Sequence, residues 1–400
     1  MRILVLTPTF LPVMGGAEMV LFEVYRRLAR RHDVRLLTPH LSRALLREQS
    51  AGDDVPDVPF AVQHYRDRVS FMRVPGHRWT GGAIPPFSLS AVGAVRRAAR
   101  EFRPDVLNVH YAMPTGLAAV VADRTLGVPS VLTLNGRDVP GPGVPPLWRL
   151  WQRALLASVT DATYVSDYCR TAIYGARAGR GRVVYNGVEL PPPPGDGAAV
   201  RRLHAIAPDE PLILALQRLA PEKRVDVLLR ALERRREVAG RGTLVVAGKG
   251  PEEPALRRLA ESLGIAAHVR FAGYVAREAL GGYFTACDLF AFHSTFETFG
   301  LVVAQAMSYG RAVVTVRNTA LPEVLGDAGV LVPTGDGRAF GDALAALVAD
   351  GERRRRLGEA GRVRVRALFD WDTIALQYEQ VLAGAAGRTL PQAAEARRAC

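Results

Sequence analysis

Short apolar runs alternate with amphipathic stretches along nearly the whole chain, and the alternation breaks once, at residues 191–197, in "PPPPGDG". Before the break, residues 3–7 and 34–38 and the runs "PDVLNVHY", "PSVLTLNG", "ATYVS" and "RVVYNGV" read as buried strands. Helical spacing of apolar residues predicts helices over 17–31, 115–126 and 147–158 between them. After the break the pattern restarts in "PLILALQRL", "GTLVVAGKG", "HVRFAGYV", "CDLFAFHS", "AVVTV" and "GVLVP", with helices predicted over 223–237, 252–263, 276–285 and 300–309. Strands that alternate with helices in this way form parallel βαβ units.

The fold class expected is therefore α/β, with two Rossmann-like doubly wound domains facing across a cleft. Four hundred residues at 48% apolar content are enough for two cores. The boundaries read as an N-terminal domain over 1–190, a linker over 191–197 and a C-terminal domain over 198–369. A last helix over 370–386, "FDWDTIALQYEQVLAGA", is expected to pack back on the N-terminal domain, and 387–400 reads as a frayed tail. Ligands of such sheets bind at the carboxyl ends of the strands.

No run approaches the roughly 20 uninterrupted apolar residues that cross a bilayer. The opening "MRILVLTPTF" is too short for a secretory leader, so a cytoplasmic protein is expected. Cys169, Cys287 and Cys400 are far apart and form no C-x-x-C pair, which argues against a disulfide framework or a zinc site.

The net charge of +13 invites a nucleic-acid or membrane-surface reading. The charge is spread over many predicted helices, Arg353 to Arg356 among them, as solvated faces would be, and no nucleic-acid partner is expected. Two clusters in the N-terminal domain, Arg26, Arg27, Arg30 and Arg31, and Arg96, Arg97, Arg100 and Arg103, read either as solvated faces or as a peripheral contact with the inner face of a membrane.

Of 52 basic residues only Lys223 and Lys249 are lysines, which singles out positions that want a compact ammonium. Lys249 lies in a glycine turn and reads as incidental. Lys223, in "LQRLAPEKRVD", falls where a helix is predicted to start, just after Arg218 at a strand end. A cation there opposes the helix dipole by roughly 0.3–1 kcal/mol, which a bound diphosphate would offset. Both could equally face solvent.

In "MGGAE", Gly15 and Gly16 would let backbone N–H groups approach an anion at a helix start, or they form a plain glycine turn with Glu18 behind it. Neither G-x-G-x-x-G nor G-x-x-x-x-G-K-[ST] occurs. In "HSTFETFGLVVAQAMSYGRAVV", Glu297 precedes a predicted helix and Gln305 lies in its second turn. Acid and amide there could touch successive parts of one extended ligand.

The order "GGAE", "QRLAPEKRVD", "VVAGKGPE", "FAGYV" and "HSTFETFGLVVAQAMSYGRAVV" resembles the retaining GT-B glycosyltransferases of family 4, from residue 2 to about 383. "NVHYAMPTGLAA" and "LTLNGRDV" resemble that family's first domain. The resemblance implies a GT-B-like enzyme of hexosyltransferase type that moves a sugar from a nucleoside-diphosphate sugar to an acceptor hydroxyl on a sugar, glycolipid or small alcohol. It implies retention by a front-face route, with no metal and no cofactor beyond the donor as co-substrate.

Carried over residue by residue, the resemblance implies that Arg218 and Lys223 hold the diphosphate and that Gly15 and Gly16 cover it. Glu297 lies against the sugar, and these three charged residues carry catalysis. Phe299, Gly300, Leu301 and Gln305 complete the donor contacts, with Gln305 at the ribose where the family has a second acid. His110, Asn135 and Asp138 are implied on the acceptor side. Asn135 stands where the family usually has His, and His110 is either its substitute or a plain polar residue. A non-catalytic sugar-nucleotide-binding protein of the same fold is the alternative; a nicotinamide-dependent oxidoreductase is a further one, weakened by the missing glycine fingerprint.

Overall fold

A parallel sheet covered on both faces buries every side chain of its strands, so its strands are apolar throughout rather than alternating. The computed structural model describes residues 1–13, 15–41, 55–67, 87–136, 139, 146–175, 179–234 and 242–389. Its chain forms two compact units: Met1–Asn186 together with the segment from Trp371 onward, and Gly187–Asp370.

The first unit runs β1 (Arg2–Leu6), α1 (Gly16–Leu28), β2 (Asp33–Pro39), β3 (Ala61–Tyr65), α2 (Leu89–Phe102), β4 (Val106–His110), α3 (Gly116–Thr125), β5 (Ser130–Leu134), α4 (Pro146–Ala157), β6 (Asp161–Tyr164), α5 (Asp167–Tyr174) and β7 (Arg182–Val183). The strands pair in parallel in the order β3-β2-β1-β4-β5-β6-β7. Every residue of β4 and β5 is buried. Ser88 caps α2 by accepting from the Ala91 amide, supplying one of the bonds that a helix start lacks.

The second unit runs α6 (Gly197–Leu203), β8 (Leu212–Leu216), a 3-10 turn (Pro221–Lys223), α7 (Val225–Arg234), β9 (Thr243–Ala247), α8 (Glu253–Ser262), β10 (Val269–Gly273), α9 (Arg277–Ala286), β11 (Leu289–Phe292), α10 (Leu301–Ser308), β12 (Ala312–Val316), α11 (Leu321–Leu325), β13 (Val330–Val332), α12 (Gly337–Ala349) and α13 (Gly351–Leu368). Its six strands are parallel in the order β10-β9-β8-β11-β12-β13. Both sheets reverse their winding once, between β1 and β4 and between β8 and β11. These are the switch points at which doubly wound sheets hold ligands.

The last helix, α14 (Trp371–Ala385), belongs to the first unit and packs on α1. Ile374, Tyr378, Val381 and Leu382 share a buried cluster with Val20, Val24, Tyr25 and Leu28. Around that contact Arg27 pairs with Asp372 and Glu23, and Arg31 pairs with Glu379, so much of the α1 arginine cluster is occupied by its own unit.

Two expectations shift. The division falls between Asn186 and Gly187, which puts the proline run of 191–197 inside the second unit rather than between the two. The reason is packing: a Cβ on Gly195 would lie 2.0 Å from the Gly282 nitrogen, so the segment is pressed onto α9. The helix predicted over 223–237 begins only at Val225, because Arg224 takes a left-handed φ of 44° that separates it from the 3-10 turn. Lys223 thus ends a turn rather than starting a helix. Residues 390–400, most of the predicted tail, lie outside the described residues, as does Cys400.

Candidate active site

In the second unit, β8 and β11 are neighbours, and the segments that follow them converge at their carboxyl ends. After β8 the chain passes Gln217 and Arg218 and tightens into the 3-10 turn, with the Leu219 amide bonded to the Lys249 carbonyl at 2.9 Å. A Cβ on Gly250 would lie 2.1 Å from the Leu219 carbonyl oxygen, so glycine is what lets these two loops stack. The Gln217 amide donates to the Lys223 carbonyl at 3.3 Å, holding the turn from beneath.

After β11 the loop 293–300 is fixed on both sides. The Glu222 carbonyl accepts from the Thr295 amide at 2.8 Å and from Thr295 Oγ1 at 3.1 Å. The Glu297 amide donates to Thr319 Oγ1 at 3.0 Å, and the Glu297 carbonyl accepts from the Ala320 amide at 3.3 Å. Gly300 then opens α10 at φ 91°, with Leu321 Cδ2 only 2.8 Å from where a Cβ would stand. Conformation and space both require glycine there.

This framework brings the side chains of Lys223 and Glu297 into an ion pair. Lys223 Nζ also stands 5.5 Å from the centroid of the Phe292 ring, a cation–π contact that limits where the ammonium can go. Arg218 pairs with Glu222 four residues on, both side chains well exposed at 44% and 39%. An exposed pair of this kind is worth about 0–1 kcal/mol, so Arg218 can exchange Glu222 for an anionic ligand at small cost.

Gln305 lies partly exposed on α10, while Val303, Ala304, Ala306 and Met307 point into the core. Its side-chain amide has no hydrogen-bond partner among the described residues. Leu301 is partly exposed as well. Phe299 is buried, edge-on to Phe369 at 5.2 Å, so its ring anchors the loop.

In the first unit, Gly15 and Gly16 follow β1, His110 ends β4 and Asn135 follows β5. A Cβ on Gly15 would lie 2.4 Å from Glu18 Oε2, and Thr9 Oγ1 donates to the other oxygen of that carboxylate at 2.5 Å. Glu18 thus lies close over Gly15, and its negative charge sits at the positive end of α1. His110 is buried and bonded to Asn135 Nδ2 through Nδ1 at 3.0 Å and to the Tyr25 hydroxyl through Nε2 at 2.6 Å. Burial pushes its pKa down to about 3, so the ring is neutral. Asp138 lies outside the described residues.

The structure adds Glu222, Thr295, Asn318 and Thr319, which shape the Lys223–Glu297 pair, and Tyr25 and Asn108, which hold His110. No local pattern announces any of them, because each acts through a partner distant in sequence.

The family described as Glycosyl transferases group 1 matches residues 198–364, and that described as Glycosyltransferase Family 4 matches residues 14–190. A D-inositol 3-phosphate glycosyltransferase from Xylanimonas cellulosilytica is 31% identical over 94% of this chain and 93% of its own. A GDP-mannose-dependent alpha-(1-6)-phosphatidylinositol monomannoside mannosyltransferase from Mycobacterium tuberculosis is 29% identical over 96% of this chain and 98% of its own. In fold the chain is similar to the Anabaena protein Alr3699/HepE, solved in complex with UDP, with a TM-score of 0.76, 21% identity, and 96% and 100% of the two chains covered.

Proposed function

Because this chain belongs to the family 4 glycosyltransferases of the GT-B type, we propose that it transfers a sugar from a nucleoside-diphosphate sugar to an acceptor hydroxyl with retention of anomeric configuration and without a metal. The second unit holds the donor and the first holds the acceptor. The observation that carries this reading is the placement of Arg218, Lys223 and Glu297 together at the β8/β11 switch point.

Arg218 and Lys223 supply the positive charge that a departing diphosphate needs, in a frame already fixed by the bonds to Glu222, Thr319 and Gln217. The C1–O bond to the phosphate breaks ahead, leaving an oxocarbenium-like sugar. Glu297 lies against the sugar and holds Lys223 in position until the phosphate competes for it. The acceptor oxygen bonds to C1 on the face the phosphate leaves, and its proton passes to the leaving phosphate oxygen. This route asks for charge stabilisation and positioning rather than a strong base.

Gln305 meets the ribose as a neutral partner. The acceptor is a sugar or polyol hydroxyl, free or lipid-linked; the relatives named for inositol 3-phosphate and for a phosphatidylinositol mannoside support a hydroxyl-rich ring. The exposed arginines of α2 support a peripheral contact with an anionic membrane on the cytoplasmic side. No helix among the described residues is long and apolar enough to cross a membrane.

A thermal-shift panel of nucleoside diphosphates and their sugars tests the donor, since a ligand of the folded state raises the melting temperature. The best-shifting donor is then supplied with candidate polyols and the anomer of the product is read by NMR. An inverted product would overturn the retaining mechanism, and no shift with any sugar nucleotide would overturn the donor assignment.

A further inference from the structure

Just past β12 the chain enters a backbone conformation that its side chain resists. Thr319 has a φ of 48°, in the left-handed region, where Cβ crowds the following carbonyl oxygen and a β-branched residue is an outlier. The non-glycine residues with positive φ among the described residues are Arg103, Tyr111, Ala205, Arg224 and Thr319, and of these only Thr319 is β-branched. Two of them frame the candidate site: Arg224 directly follows Lys223, and Thr319 bonds to Glu297.

What this conformation secures is a grip on both backbone groups of one residue. The Glu297 amide donates to Thr319 Oγ1 at 3.0 Å, and the Glu297 carbonyl accepts from the Ala320 amide at 3.3 Å. The preceding Asn318 side chain donates to the Thr295 carbonyl on the same loop. Glycine would adopt the φ of Thr319 freely but has no side-chain oxygen to offer, whereas serine would keep the oxygen with less crowding. Backbone strain of this kind persists where the surroundings over-determine it, and it gathers at functional sites.

We propose that Thr319 is a positioning residue for the transfer: its strained backbone and its hydroxyl fix the main chain of Glu297, and with it the place where the carboxylate meets Lys223 and the sugar. The sugar contact rests on the transferase reading; the clamp on Glu297 does not. Because Thr319 acts through Glu297, losing its hydroxyl shifts that carboxylate while Arg218 and Lys223 remain to hold the diphosphate. Transfer depends steeply on such placement, and donor binding much less.

Thr319→Gly and Thr319→Ser in the full chain test the clamp, since glycine relieves the backbone and deletes the bond while serine keeps it. Hydrogen exchange of the ligand-free chain, read by mass spectrometry, is expected to show added exchange in the peptide covering 293–300 for Thr319→Gly and wild-type exchange for Thr319→Ser. Unchanged exchange in Thr319→Gly would overturn the clamp. The melting temperature of Thr319→Gly is expected to stay within about 4 °C of wild type, because relief of strain offsets the lost bond. Its kcat is expected to fall roughly ten- to a hundredfold with the donor KM within about twofold of wild type, and Thr319→Ser is expected to recover kcat to within about twofold. Transfer by Thr319→Gly at the wild-type rate, or a loss that serine shares, would overturn the positioning role. A larger fall in melting temperature for Thr319→Gly would leave only a structural one. A wild-type chain inactive with every sugar nucleotide would overturn the catalytic role and the transferase reading together, whatever the exchange shows.

Discussion

Lys223 and Glu297, 74 positions apart in sequence, form an ion pair whose side chains are only 18% and 14% exposed. The pair is partly desolvated and set by backbone bonds on both sides, which distinguishes it from the exposed Arg218–Glu222 pair. Its geometry also assigns Glu297 a second task. Besides the sugar contact proposed for it, Glu297 keeps the ammonium from the alternative positions that a flexible four-carbon stem allows.

Gln305→Glu is expected to lower the donor KM about tenfold with little change in kcat. A hydrogen bond to a charged group is worth roughly 1.5–3 kcal/mol against roughly 0.5–1.5 for a neutral one. The side chain is partly exposed, so the substitution leaves the core of α10 intact. Steady-state kinetics with varied donor check this; a raised KM would remove Gln305 from the ribose contact.

Acid is expected to destabilise the fold in a window set by two buried histidines. His293 is fully buried with neither ring nitrogen hydrogen-bonded among the described residues, and burial, with Arg224 adding to it against Asp226, pushes its pKa down to about 4. His110 is pushed down to about 3. Both folded values lie below the unfolded one of about 6.5, so the unfolded chain binds more protons and stability falls as pH drops below it. Each histidine contributes a slope of up to about 1.4 kcal/mol per pH unit until its folded pKa is reached. Melting temperatures of wild type and His293→Gln followed from pH 7.5 to 4.5 check this. The wild-type curve is expected to fall more steeply; parallel curves would contradict it.

Glu379→Ala is expected to destabilise the first unit by roughly 1.5–3 kcal/mol, the worth of a hydrogen bond to a charged group. Glu379 is buried on α14 and accepts from Arg31 and, at 2.7 Å, from His32 Nε2. Denaturant unfolding measures the loss. An unchanged midpoint would mean that the Arg31 and His32 contacts to Glu379 add nothing to the hold on α14.

The arginines of α2, Arg96, Arg97 and Arg100, and Arg103 at its C-cap are all exposed. Each is worth about 1 kcal/mol near an anionic lipid surface at low ionic strength. Sedimentation with phosphatidylglycerol vesicles is expected to be lost on raising salt and on changing all four to Gln. Equal sedimentation of the quadruple variant would place the contact elsewhere.

Strand runs such as "PDVLNVHY" and "AVVTV" were legible in the sequence because a parallel strand covered on both faces is apolar throughout. The β3 strand, "AVQHY", was not, since at the sheet edge it is largely exposed and carries polar residues. The proline run misled for a related reason: proline and glycine mark a break in regular structure, but Gly195 makes that break a packed one. Within the site, Lys223 was visible through its rarity and Glu297 through its motif. The bonds that join them, from Thr295 to Glu222 and from Glu297 to Thr319, link segments whose approach only the fold creates.

The most direct measurement is the single-turnover transfer rate of Lys223→Ala at saturating sugar nucleotide, beside wild type and Glu297→Ala. The account predicts that Lys223→Ala loses a factor of about 10² to 10³ or more, the scale of removing one preorganised charge-stabilising donor, and that Glu297→Ala falls nearly as far. Transfer by Lys223→Ala at the wild-type rate would contradict it.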